Sequence, residues 1–135
     1  VKDRVLIYAA LFYGAGFLIH NADHIRRGLS VEPTGVLIAG SLAGILQLAA
    51  IIAVLAGHRL APLLAVAVGF PDALGISAVH LLPHWSSSLS DAFPGAHGTG
   101  VTALSWAAAS IEIAGALAFG LAGLYALRRQ PVAAG

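Results

Sequence analysis

The sequence predicts an all-α membrane protein: a four-helix transmembrane bundle running up-down-up-down, with both termini cytoplasmic. Three observations lead there. Of the 135 residues, 59% are apolar and only 10% are charged, far below the roughly 25% charged residues of soluble domains, and the mean hydropathy is +0.88. A helix needs about 20 apolar residues to cross a bilayer, and four such stretches can be drawn, roughly 5–24, 35–57, 60–84 and 101–127. The basic residues divide unequally between the two sides. Lys2, Arg4, Arg59, Arg128 and Arg129 share one side, while Arg26 and Arg27 lie on the other. The positive-inside tendency places the richer side in the cytoplasm.

The four spans use most of the chain, so residues 1–135 read as a single integral membrane domain, expected in a bacterial plasma (inner) membrane. No small-residue cleavage site follows a short apolar core, so the first span is expected to be a retained helix rather than a signal peptide.

The first span ends in Ile19-His20-Asn21-Ala22-Asp23-His24. Residues four apart share a helix face about one turn from each other, so His20 and His24 form a stacked pair. A polar connection with Arg26, Arg27, Glu32 and Pro33 leads to the second span, where Gly40 and Gly44 allow close helix approach and Gln47 lies deep. Gly57-His58-Arg59 is a tight link, with Pro62 in the first turn of the third span; it makes the second and third helices neighbours. The third span carries Pro71, Asp72 and Ser77, and ends in Val79-His80-Leu81-Leu82-Pro83-His84, a second histidine pair. A long loop, 85–100, follows with Trp85, Asp91, Phe93 and His97. Trp85 and Phe93 suit the membrane interface, and the loop reads either as a lid over the histidines or as an ordinary solvated connection. The fourth span carries Ser105 and Glu112, seven apart on one stripe.

In this topology both histidine pairs face the extracytoplasmic side, on helices that point the same way. Four imidazoles converging there are the pattern of a metal site, with His20, His24, His80 and His84 as ligands. Asp23 is either a further ligand, an outer partner that orients a histidine, or the ion-pair partner of Arg26 or Arg27. Below them, Tyr13, Gln47, Asp72 and Glu112 fall roughly 16–18 Å from the helix ends at 1.5 Å per residue, one per helix. Carboxyls at such depth are expensive. Asp72 and Glu112 are therefore candidates for proton transfer, additional ligands or interhelical hydrogen bonding.

Cysteine and methionine are absent, which excludes disulfides and sulfur ligands. Imidazole and carboxylate suit copper, iron or zinc, with copper or iron favoured. One histidine from each pair could instead hold haem b. No basic patch, phosphate-binding glycine loop or nucleophile elbow is present, so nucleic acid is not an expected partner. The expected function is redox or oxygen-activation chemistry, as a metal-dependent oxidoreductase or a subunit of one. The alternatives are a haem b electron-transfer anchor and a non-catalytic structural subunit. Small residues on all faces point to other membrane subunits or a homo-oligomer as partners besides the lipid bilayer.

Overall fold

The computed structural model describes residues 3–129, and among these all regular structure is helical. The helices are α1 (Arg4–Arg27), α2 (Thr34–Ala56), α3 (Ala61–Ile76, continued by a π-turn over Ser77–Leu81) and α4 (Ala103–Arg128). With the π-turn included, all four are long and apolar enough to cross a membrane. Lys2 lies outside the described residues.

Each helix starts and stops for a local reason. Asp3 caps α1 by accepting hydrogen bonds from the Val5 and Leu6 amides at 2.9 and 3.2 Å, which satisfies donors that a first turn leaves free. Gly57 ends α2 at φ 71°, in the left-handed region, where a residue without Cβ is unstrained. At the start of α4, Thr102 and Ser105 cap each other reciprocally.

The third helix ends earlier than its apolar run suggests, and Pro83 is the cause. Proline has no N–H to continue the helix ladder, so the carbonyl four residues back, Val79, lacks its usual donor. The amide of Asp91 supplies one at 3.1 Å, and Phe93 N–H likewise bonds His80 O at 2.8 Å. The Trp85 indole N–H bonds Ala78 O at 2.6 Å. The frayed end of α3 is thus capped by the loop that follows it, and the capping draws Asp91 and Phe93 onto His80.

Close helix approach rests on small residues. A Cβ on Gly16 would lie 2.7 Å from Glu112 Cα, and one on Gly115 would lie 2.8 Å from Tyr13 Cα. These two contacts seat α1 against α4. On the other side of α4, Gly123 stands against the Pro62 carbonyl and the backbone of Gly120 against Gly69. The core between the helices is mostly alanine, with Tyr13 and Phe119 as its largest fully buried side chains. Apart from Leu6 and Ile51, the large aliphatic side chains mostly point outward, as expected when the surrounding solvent is hydrocarbon.

Candidate metal centre

Three histidines meet at one end of the bundle. His20 and His24 come from consecutive turns of α1, and His80 from the π-turn that ends α3. Their ring centroids are separated by 4.5 Å (His20–His24), 4.9 Å (His20–His80) and 5.3 Å (His24–His80). One nitrogen from each lies within 4.8 Å of the other two, a group that could hold a metal ion.

Each ring is held from behind through Nδ1. His20 Nδ1 bonds the Glu112 carboxylate of α4. His24 Nδ1 bonds the Glu32 carboxylate, from the connection before α2. His80 Nδ1 bonds the Asp91 carbonyl at 3.1 Å, with the Asp91 carboxylate 3.4 Å away. An acceptor on Nδ1 fixes the tautomer with the proton on that nitrogen, and leaves the Nε2 lone pair free to bind a Lewis acid. His20 Nε2 is buried and has no hydrogen-bond partner. A buried nitrogen without a partner costs on the order of 1–3 kcal/mol; a ligand there would remove that cost.

A second layer of charge holds these partners. The Arg27 guanidinium, fully buried, makes two bonds to the Asp91 carboxylate at 2.7 and 2.8 Å. It also donates to Thr99 O at 3.0 Å. Burial works against the Asp91 carboxylate, but the hydrogen bonds from His80 and Arg27 outweigh it and hold the carboxyl well below its ordinary range. Arg26 bonds Asp23 at 2.8 Å and reaches Gly100 O and Ser105 across the loop. Phe93 lies against the His80 ring at 4.6 Å and under the Arg27 guanidinium. The loop therefore closes over His80 as a lid clamped by two consecutive arginines, and Phe93 is buried beneath it.

The structure places the other expected site residues as follows. His84 lies beyond the end of the helix, exposed, and outside the three-histidine group, because Pro83 breaks the turn that would have carried it onto the face of His80. Asp23 is buried, but its carboxylate pairs with Arg26 and stands outside the group. Glu112 bonds His20. Asp72 instead accepts the Tyr13 hydroxyl at 2.5 Å. Gln47 is buried beside the core, with an unpartnered amide nitrogen. His97 and His58 are exposed.

Sequence reasoning missed Glu32 as the partner of His24 and underrated Asp91. The one available signal was that each is the lone acid in its connecting loop. Comparison with protein-family models, with curated proteins and with solved structures finds no match to this chain. Fold and site together define a multi-pass helical protein with four membrane-length helices and a three-histidine group able to hold a metal ion.

Proposed function

We propose that this protein is a membrane-embedded metalloprotein that binds one copper or iron ion through His20, His24 and His80 and uses it in redox or oxygen-activation chemistry. The carrying observation is that all three histidines have Nδ1 bonded to an outer partner and bring one ring nitrogen each within 4.8 Å of the others, while His20 Nε2 is buried without a partner. The ring separations fit the same reading. Imidazoles bound through Nε2 at about 2.0–2.1 Å place their ring centres about 5 Å apart when they subtend tetrahedral angles at one ion. A porphyrin would have to part rings that already touch, so the arrangement speaks for a bare ion rather than haem b. Three protein ligands leave one position open for water, oxygen or substrate.

The redox part of the reading draws on Tyr13. This phenol, fully buried and bonded to Asp72, lies seven residues and about 10 Å of helix rise below His20. A phenol–carboxylate pair can give up an electron and a proton together, which a centre that only activates water would not use. Zinc is the second reading, because three histidines with an open position also form a catalytic zinc ligand set.

The orientation proposed is up-down-up-down with cytoplasmic termini, which puts the centre on the extracytoplasmic side. Arg26 and Arg27, the two basic residues on that side, are both tied into ion pairs. Membership of a larger complex or homo-oligomer is part of the proposal; large apolar side chains such as Leu42, Ile45 and Ile52 project outward from α2.

Metal analysis of protein purified in detergent tests the reading. About one copper or iron per chain is expected, lost in a His20→Ala/His80→Ala double variant. Zinc in that place would move the chemistry from redox to hydrolysis. A metal content near zero that added metal does not raise would remove the proposal.

A further inference from the structure

At the end of the bundle away from the histidines, the seam between α1 and α4 opens outward into a groove of about 510 Å³. Its cause is a contrast in side-chain size. Ala9 and Ala122 are buried along the seam and Ala118 continues their row, whereas Tyr8, Phe12, Leu121 and Tyr125 stand exposed on its flanks. The two helices meet closely through Gly16 and Gly115, so small residues occupy the seam and the larger ones rise as two walls. From Val5 to Phe12 the groove covers about 10 Å of helix rise. That is most of the roughly 15 Å that one leaflet contributes to the hydrocarbon core of a bilayer.

An apolar groove facing hydrocarbon takes an acyl chain, and the charges at its mouth select among lipids. Each wall carries a tyrosine with an arginine four residues nearer the helix end: Arg4 and Tyr8 on α1, Arg129 and Tyr125 on α4. Residues at that spacing share a helix face, so an arginine stands one turn beyond the groove on each wall. On α4 the link is direct. The Arg129 guanidinium donates to the Tyr125 hydroxyl at 3.1 Å and lies over its ring. Arg128 adds a third positive charge, and all three arginines are exposed. Among the described residues none of the three pairs with an acid. Asp3, the described acid at this end, is committed to the cap of α1. The groove therefore joins an apolar trough to uncompensated positive charge, with two tyrosines between them at the level where such rings favour the membrane interface.

We propose that this groove binds one anionic phospholipid from the leaflet nearer Arg4 and Arg129, its phosphate held by those two guanidinium groups and an acyl chain lying on Ala9, Ala118 and Ala122. A guanidinium matches phosphate oxygens in pairs, and a zwitterionic headgroup would bring its own cation against the arginines. The bound lipid bridges α1 and α4, the helices that carry His20 and its partner Glu112. The inference needs the chain to lie in a bilayer; it does not depend on the metal centre.

Native mass spectrometry of the full chain in detergent, titrated with dioleoylphosphatidylglycerol or dioleoylphosphatidylcholine, tests this. A basic residue beside an anionic headgroup strengthens binding about fivefold. One phosphatidylglycerol per chain should accordingly bind about tenfold or more tightly than phosphatidylcholine, and Arg4→Gln/Arg129→Gln should abolish the preference. Arg59→Gln removes a charge from the link between α2 and α3, at the same end of the bundle because Pro62 packs on Gly123, and should leave the preference intact. Ala118→Leu fills the groove and should weaken phosphatidylglycerol binding, and glycerol phosphate, which has no acyl chain, should not bind. Equal affinity for the two lipids, a preference that survives Arg4→Gln/Arg129→Gln or falls equally in Arg59→Gln, unchanged binding in Ala118→Leu, or binding of glycerol phosphate would each overturn the proposal. So would a dimer that excludes lipid and comes apart in Ala118→Leu, which would make a second copy of the chain the occupant. Lipid binding by His20→Ala/His80→Ala should match wild type, so failure of the metal reading would leave this inference standing.

Discussion

His20–His24 and His80–His84 have the same spacing and opposite fates. On α1 the helix runs unbroken to Arg27, so a separation of four residues becomes a stacked pair with ring centres 4.5 Å apart. On α3 the helix passes into a π-turn and stops at Leu81. His80 stays in the cluster, and His84 leaves it for the rim of a cavity. Spacing predicts a shared face only while the backbone ladder continues, and Pro83 ends it. The two regions also differ in support. The α1 histidines sit on a self-sufficient helix, whereas His80 depends on a loop that caps its own carbonyl and supplies Asp91.

That difference can be broken at Arg27. Arg27→Ala leaves the buried Asp91 carboxylate without its main counter-charge, which costs about 3–5 kcal/mol when one member of a buried pair is removed. A large fall in thermal stability is expected. Hydrogen exchange should rise at the Asp91 and Phe93 amides while the amides of the last turns of α1 stay protected. Equal loss of protection in both regions would mean that the two supports are not separate.

Gly16→Ala attacks the α1 side instead. Its methyl would meet Glu112 Cα at 2.7 Å, and backbone has little room to move in a packed bundle. Overpacking of this kind costs about 1–3 kcal/mol. Because Glu112 is displaced, His20 should lose its Nδ1 partner, which histidine nitrogen NMR would register.

Glu112→Gln and Glu32→Gln test the outer partners alone. Each keeps shape and removes charge, and changes at such partners typically cost about 10–100-fold in metal affinity. Competition titration against a chelator would measure it. His84→Ala, by contrast, should leave metal affinity unchanged, and a loss as large as that of His80→Ala would restore the four-histidine reading.

A further expected effect is a pH dependence carried by Asp91. Its carboxyl is held below its ordinary range in the folded protein. Its contribution to stability is therefore fully present above the unfolded carboxyl value of about 3.9, and it is lost as pH falls from there toward the lower folded value. Asp91→Asn should be less stable at neutral pH but show a shallower decline below pH about 4. Parallel declines in the two proteins would remove Asp91 from the acid response.

Much of this molecule was determined by local sequence. Four apolar runs of sufficient length give four membrane-length helices because lipid leaves the backbone no other partner than itself. The pairing of His20 with His24 follows from helix periodicity within one unbroken segment. The choice among acids did not follow. Whether Glu112 bonds His20 or joins Asp72, and whether Asp23 faces a histidine or Arg26, depends on how deeply α1 and α4 interlock at Gly16 and Gly115. That register is a property of two surfaces meeting, not of either strip of sequence. The roles of Glu32 and Asp91 were hidden for a related reason. Both lie in loops, where no periodicity fixes direction, and both reach their histidines only because the bundle brings helix ends and connections together. The early end of α3 lay between the two cases. Pro83 announced a broken ladder, but which donors would cap the freed carbonyls, and so which acid would reach His80, was decided by the folded loop.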